Sequence, residues 1–144
     1  IAAEHAIFGQ NGPRVGSPAA GAIVSYLTRV IGAKRAREMW MLCRRYTAQQ
    51  ALEMGLVNAV VPMTKLDEEV DKWCGELLAL SPTCLRILKA SFVEEFGSLL
   101  GQGDQLRRYV TTREFWEEEQ QEGARAFLEK RPPDFSRFRR RRSK

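Results

Sequence analysis

Only two stretches of this chain have the apolar character of strands, and both are short. Residues 1–8 are mostly apolar and end at Gly9, and residues 56–61 form a β-rich run closed by Pro62. Two strands cannot protect both edges of a sheet. We therefore expect an α/β fold of which this chain is the helix-rich part, with the remaining strands in another part of a longer protein.

The rest of the chain has helical periodicity, because its apolar residues recur three and four positions apart. Predicted helices begin at residues 19, 33, 47, 64 and 81. Gly32 and Gly55 stand where the first and third helices would end, and Thr47, Thr64 and Ser81 are the predicted N-caps. The residues expected to be buried are Ile23, Leu27, Val30, Ile31, Ala36, Met39, Trp40, Cys43, Val70, Trp73, Leu77, Leu78, Leu85, Leu88 and Phe92.

The net charge of +5 belongs to the end of the chain rather than to its body. Six of the 23 Lys and Arg residues lie within residues 136–144, which leaves 17 basic groups against 18 acidic ones in the body. A nearly neutral body does not favour nucleic acid as a partner. No stretch approaches the roughly 20 apolar residues of a membrane span. Because there is no signal-like segment either, the sequence predicts a soluble, cytoplasmic protein.

The cysteines and the single histidine give little evidence of an active site. Cys43, Cys74 and Cys84 form no C-x-x-C pair, so neither a disulfide framework nor a metal site is predicted. His5 could be a general base, but a lone His beside apolar residues is more often a hydrogen-bonded structural residue.

The serines and the early glycines are equally weak signals. Ser17 and Ser25 could be nucleophiles, yet the chain has no second His to activate them. Gly9, Gly12 and Gly16 match neither of the phosphate-loop motifs and predict a turn instead.

The acidic run and the tryptophans favour structural roles. Residues 117–119 and Glu122 could supply paired carboxylates, but consecutive acids on a helix point in different directions and favour a solvated face. Trp40, Trp73 and Trp116 lie at helical spacing among apolar residues, which is typical of core or interface positions.

Five segments, in chain order, resemble motifs of the 1,4-dihydroxy-2-naphthoyl-CoA synthases (naphthoate synthases), members of the crotonase (enoyl-CoA hydratase/isomerase) superfamily. Residues 8–17 read F-G-Q-N-G-P-R-V-G-S and resemble F-G-Q-x-G-P-[KR]-x-G-S, and residues 51–62 resemble A-x-x-M-G-L-V-N-x-V-V-P. The other matching segments are residues 34–46, 81–89 and 122–135. The resemblance implies the C-terminal half of a crotonase-like spiral fold. It also implies a lyase that processes an acyl-CoA thioester in menaquinone biosynthesis.

The resemblance also implies roles for individual residues. Gln10, Gly12 and Trp40 correspond to the residues that hold a bicarbonate ion as the base in these synthases. A glycine suits this role, because only an absent side chain lets a backbone N–H approach a small anion closely. Phe127 corresponds to a contact with the adenine of coenzyme A, and Lys130 to a contact with its phosphates, in a neighbouring subunit.

Two catalytic positions differ from the family pattern. Ala19 stands at the position of the catalytic Asp, and Phe115 at that of a late catalytic Tyr. Loss of one proton-transferring group typically costs ~10²–10⁴-fold in rate. Two hypotheses stay open. One is an acyl-CoA enzyme with altered chemistry, such as hydration, hydrolysis or carbon–carbon cleavage. The other is a non-catalytic homologue or subunit that acts in oligomer assembly.

The resemblance finally implies an organisation in three parts. Residues 1–62 are the C-terminal part of the spiral core, residues 63–135 a helical trimerisation region, and residues 136–144 a basic tail. Crotonase enzymes form trimers, often paired into hexamers. We therefore expect a homo-oligomer, completed by the N-terminal half in the same or another chain.

Overall fold

Four short strands pair into two separate two-stranded sheets in the computed structural model, which describes residues 1–93, Gly97, Arg108 and 111–138. The first sheet is parallel, with Ala2 opposite Val60, and the second is antiparallel, with Phe8 opposite Tyr46. The strands are β1 (Ala2–Ala3), β2 (Ile7–Gly9), β3 (Arg45–Thr47) and β4 (Val60–Val61).

The strand pattern corrects the prediction of two strands. Of the predicted strand over residues 56–61, only Val60 and Val61 are extended, as β4. The segment 1–8 is not continuous, because the chain turns at Glu4 and His5, where the amide of Ala6 donates to the carbonyl of Ala3 at 2.9 Å. Strand β3 was not predicted at all. Its three residues are too few for an alternating pattern, and it exists through its pairing with β2.

Helices α1 (Ala22–Ile31) and α2 (Ala33–Leu42) pack on each other and meet at Gly32, whose φ of 81° ends the first helix as predicted. Helix α1 begins three residues later than expected, because Gly21 has a non-helical backbone. The core beside this pair is formed by Ile31, Ala36, Met39 and Met54, with Leu27, Tyr46 and Leu56 packed around it.

The predicted buried face of α2 is confirmed, whereas that of α1 is correct only in part. Trp40 and Cys43 are buried with the core residues of α2. Ile23 is 64% exposed and Val30 is also exposed, because no element within the described residues covers that side of α1.

Helix α3 (Ala48–Glu53) begins with the predicted cap at Thr47. Its hydroxyl accepts the amide of Gln50 at 3.2 Å, and the side chain of Gln50 accepts the amide of Thr47 at 2.9 Å. Such a reciprocal capping box satisfies two amides that would otherwise lack partners. After Met54, Gly55 takes a φ of 76° and turns the chain toward β4.

Helix α4 (Leu66–Leu78) and the helical residues 82–93, here α5, present their apolar faces to the outside. The expectation that Leu77, Leu78, Leu88 and Phe92 are buried is wrong for the described part of the chain, where Leu78 is 86% and Phe92 69% exposed. A 3₁₀ turn at Met63–Lys65 precedes α4, so Thr64 is not its N-cap. Ser81 does cap α5, since its hydroxyl accepts the amide of Cys84 at 3.4 Å.

The C-terminal part of the described chain returns to its beginning. A π-helical turn at Phe115–Glu119 leads into α6 (Gln120–Leu128), which packs against the 3₁₀ turn Gly12–Val15. A third 3₁₀ turn follows at Ser136–Phe138, and the rest of the basic tail, residues 139–144, lies outside the described residues. The helix-rich α/β architecture agrees with the predicted fold class. No helix among the described residues is both long enough and apolar enough to cross a bilayer.

Candidate functional site

The glycine-rich loop after β2 forms the centre of the candidate site. Pro13 is the second residue of the 3₁₀ turn Gly12–Val15, where its fixed φ suits the first turn. The amide of Ser17 closes the loop by donating to the carbonyl of Gly12 at 2.9 Å. Gly16 takes a φ of 69°, a left-handed conformation that side chains disfavour. The turn predicted for these glycines is thus present, and it lies between α2 and α6.

On the α2 side, the structure brings Gly12 and Trp40 together. A Cβ atom on Gly12 would lie 3.7 Å from Cζ3 of the Trp40 ring and 3.2 Å from the carbonyl oxygen of Ser17. A methyl group at this position would therefore crowd the loop backbone at Ser17 and make an ordinary van der Waals contact with the ring. Glycine leaves that space open.

The indole N–H of Trp40 has no hydrogen-bond partner within the described structure. Trp40 is only 9% exposed, and its Nε1 atom is fully buried. A buried donor without a partner costs about 1–3 kcal/mol, so native proteins usually satisfy such groups with protein, water or a ligand. The orphaned donor indicates a polar partner beside this ring.

Gln10 lines a smaller cavity. This cavity has a volume of about 260 Å³ and is lined by residues 7–11 together with Arg45. Of the three residues of the expected anion site, Gly12 and Trp40 face each other, and Gln10 lies two residues before Gly12 on the wall of this cavity.

On the α6 side, two glycines permit a close approach of backbones. A Cβ on Gly123 would lie 2.4 Å from the carbonyl carbon of Val15, and one on Gly16 would lie 2.9 Å from Cα of Gln120. Real Cβ contacts are not this short, so α6 reaches the loop only because both positions lack a side chain. This close approach places the end of α6 on the same cavity as Arg14.

A larger cavity of about 650 Å³ opens where the end of α6 meets the loop. Phe127 and Lys130, both implied by the resemblance, lie on its wall and are exposed. Arg14 and Arg45 line the same cavity, and neither was identified as a site residue from the sequence. Arg14 could have been found as the basic position of the loop motif, whereas Arg45 gave no signal beyond its charge.

Glu122 is not part of a solvated acidic face, which corrects the prediction for this residue. It is 8% exposed and pairs with Arg131 through two bonds of 2.6 and 3.0 Å, while the amide of Asp134 donates to Oε1 at 2.9 Å. The Arg131 guanidinium, and then the Asp134 amide, lower the pKa of Glu122 to about 2. Glu117, in contrast, is exposed and pairs with Arg113 at 2.7 Å on the helix surface.

The two altered catalytic positions lie apart from these cavities. Ala19 is exposed in the loop before α1. Phe115 is half-buried in the π-helical turn, edge-on to Trp116 with ring centroids 5.1 Å apart. Neither residue lines the cavities of Gln10 or Lys130.

The remaining candidates do not assemble into a site. His5 is exposed in the turn after β1, and Ser25 donates its hydroxyl to the carbonyl of Gly21 at 3.1 Å. Cys43 is buried, and Cys74 and Cys84 are exposed, all with free thiols. Within the described residues, no three His, Cys, Asp or Glu side chains cluster as metal ligands would.

Comparison with known proteins assigns this arrangement to a family. The sequence model described as enoyl-CoA hydratase/isomerase matches residues 1–138. Among solved structures, methylmalonyl-CoA decarboxylase in complex with 2-nitronate-propionyl-CoA has a TM-score of 0.73 at 27% identity, with 92% of this chain and 52% of that chain covered. An enoyl-CoA hydratase from Mycobacterium avium subsp. paratuberculosis K-10 has a TM-score of 0.72 at 28% identity, covering 92% and 54%.

A third structure has higher identity but lower structural similarity. It is an enoyl-CoA hydratase subunit I from Geobacillus kaustophilus HTA426, with 36% identity and a TM-score of 0.58 over 92% of this chain and 52% of that one. The chain thus spans about half the length of the solved structures that it matches.

Proposed function

The chain belongs to the enoyl-CoA hydratase/isomerase family, and from this premise we propose that the whole protein binds and processes an acyl-CoA thioester. The printed names of its structural relatives, an enoyl-CoA hydratase and a methylmalonyl-CoA decarboxylase, refer to such thioesters. Enzymes of this fold class work by stabilising a developing oxyanion with backbone N–H groups. Because the chain spans about half of its relatives, the rest of that site belongs to another part of the protein.

Within the family, the motifs favour a relative of the 1,4-dihydroxy-2-naphthoyl-CoA synthases, with a small-anion site at Gln10, Gly12 and Trp40. One observation carries this proposal: the indole N–H of Trp40 is buried and has no hydrogen-bond partner among the residues that the structure describes. The residue types suit bicarbonate, because the indole N–H of Trp40, on α2, and the side-chain amide of Gln10, in the loop that contains Gly12, can both donate hydrogen bonds to an anion. When bound, bicarbonate supplies the base of the reaction.

The altered positions argue for a changed reaction rather than for the parent ring closure. Ala19 has no carboxylate and Phe115 no hydroxyl, so neither can transfer a proton. The reactions left are hydration, hydrolysis or carbon–carbon cleavage of a CoA thioester. The match to a decarboxylase, an enzyme that breaks a carbon–carbon bond, supports the last of these.

A second candidate function is that of a non-catalytic homologue or subunit acting in oligomer assembly. Two observations favour it. The proton-transferring groups at positions 19 and 115 are absent, and the apolar faces of α4 and α5 are exposed in the described chain. In this proposal residues 63–135 form the trimerisation region of a homo-trimer or hexamer, while residues 1–62 belong to the spiral core.

A turnover assay of the intact protein separates the two candidates. It compares a naphthoate precursor with simple enoyl-CoA thioesters, each with and without bicarbonate. We expect bicarbonate-dependent turnover that Trp40→Phe lowers by ~10²-fold or more, because the variant loses the N–H donor but keeps the ring. Trp73→Phe is the matched control, since Trp73 lies on α4 and donates to Glu69. Absence of both turnover and CoA-thioester binding would refute the enzyme and favour the assembly subunit.

A further inference from the structure

We propose that Arg14 and Arg45 are phosphate-binding residues that complete, together with Lys130, the site for the phosphate end of the CoA thioester. The inference deepens the proposed function and rests on it. Its new element is the assignment of Arg14 and Arg45, which come from the loop and from β3 and line one cavity with Lys130, which follows α6. The resemblance assigns Lys130 to the coenzyme of a neighbouring subunit, whereas this cavity combines Lys130 with Arg14 and Arg45 of its own chain.

The positive charge of the larger cavity favours an anion as its ligand. Arg14, Arg45 and Lys130 all line the cavity and are exposed, and none of the three has an ion-pair partner among the residues that the structure describes. The fourth cation on the wall, Arg131, is already neutralised by Glu122 and Glu129 at 2.6 Å each. Three free cations facing one cavity favour a ligand with several negative charges, and phosphate groups satisfy guanidinium donors best.

The apolar residues of the same cavity indicate what is attached to the anion. Its other wall is formed by Val15, Ala126, Phe127, Pro132 and Pro133. The Phe127 side chain is 65% exposed, so one of its surfaces is free to pack against a flat ring. A nucleotide, which joins phosphates to a planar base, has this combination of charge and apolar surface.

Arg45 connects the phosphate end to the proposed anion site. It lines both the large cavity and the smaller one that contains Gln10. Its place is set by the backbone, because Arg45 pairs with Gly9 across the β2–β3 sheet. A Cβ on Gly9 would lie 2.9 Å from the carbonyl oxygen of Arg44, so the close approach of the two strands favours glycine at this position. A ligand held by Lys130 would therefore extend past Arg45 toward Gln10.

Calorimetric titration of the intact protein tests this assignment with three probes: CoA, 3′-dephospho-CoA and pantetheine, which has no nucleotide. We expect Arg14→Gln and Arg45→Gln each to weaken CoA binding by roughly 10-fold or more, which is the usual effect of losing a hydrogen bond to a charged group. Pantetheine affinity should stay unchanged, and the loss for CoA should shrink at high salt. Arg37→Gln on the exposed side of α2 is the matched control.

The outcomes separate this inference from the proposed function. If the unmodified protein binds CoA and both variants bind it equally tightly, the assignment of Arg14 and Arg45 is wrong while the proposed function survives. If the two substitutions weaken pantetheine binding as strongly as CoA binding, the arginines do not bind the phosphate groups, and the assignment is also wrong. If the unmodified protein binds none of the three probes, the proposed function itself fails.

Discussion

At the scale of single residues, Gly123 determines how closely α6 approaches the loop of Gly12. Its Cα faces the carbonyl of Val15, where a Cβ would lie 2.4 Å from the carbon and 2.6 Å from the oxygen. Because both neighbours are backbone atoms, they cannot move aside as a flexible side chain can. Phe127 and Lys130 line the same cavity as Arg14 because α6 can approach the loop this closely.

We expect Gly123→Ala to destabilise the protein by about 1–3 kcal/mol, the usual cost of overpacking. The contrasting variant is Gly75→Ala in α4, where nothing lies within 4 Å of the added Cβ. There alanine should raise the free energy of unfolding by up to about 1 kcal/mol, through its better helix propensity. Urea unfolding measures both variants, and equal effects would contradict the close approach.

At the scale of elements, Glu122 ties α6 to the segment that follows it. The carboxylate accepts two hydrogen bonds from Arg131 and one from the Asp134 amide. This one side chain therefore holds in place Arg131 and Asp134, which lie 9 and 12 residues further along the chain. A buried carboxylate is tolerated only when it is paired and hydrogen-bonded in this way. The wall of the larger cavity at Pro132 and Pro133 lies within the segment that this pair holds.

The lowered pKa of Glu122 makes this connection dependent on pH. Its pKa is about 2 in the folded protein against an ordinary 4.5, so its contribution to stability is complete above pH 4.5 and is lost as the pH falls toward 2. We expect Glu122→Gln to lower the urea midpoint at pH 7 and to flatten the decline in stability below pH 4.5.

The exposed pair of Glu117 and Arg113 provides the control for this titration. Glu117→Gln should leave the midpoint nearly unchanged at every pH, because surface ion pairs contribute little. Parallel acid unfolding of the unmodified protein and Glu122→Gln would contradict the role given to Glu122.

At the scale of the whole molecule, large apolar side chains are left uncovered by the residues that the structure describes. Leu88 and Phe92 on α5 and Leu77 and Leu78 on α4 are all more than half exposed. Leu88 and Phe92 lie four positions apart, on one face of α5, and an exposed apolar face is suited to packing against another element. This supports the proposal that residues 63–135 carry subunit contacts.

We expect Leu88→Glu combined with Phe92→Glu to lower the mass of the intact protein from that of the proposed oligomer toward that of a monomer, since both changes place a charge where apolar contact is proposed. Light scattering measures the mass, and circular dichroism should show an unchanged helix content because both side chains are exposed. The control is Lys34→Glu on the exposed side of α2. An unchanged mass in the double variant would exclude these residues from the subunit contact.

Local features of the chain were predictable from sequence because their causes lie within a few residues. Gly32 ends α1 through its own backbone conformation, and Thr47 caps α3 with a residue three positions away. The buried stripe of α2 follows from helical spacing, and the family motifs identified the superfamily that the comparison confirmed. Each of these signals is contained in one short segment.

The tertiary structure decided what depends on segments far apart in the chain. Strand β3 exists because residues 45–47 meet residues 7–9, and Glu122 is buried because Arg131 and Asp134 fold back onto it. Sequence periodicity also predicted buried faces for α4 and α5, but burial requires a covering element, which the described chain does not supply. The cavity of Arg14, Arg45 and Lys130 has the same origin, since the contact between α6 and the loop brings Lys130 to the side of Arg14, and the pairing of β2 with β3 places Arg45 on the same cavity.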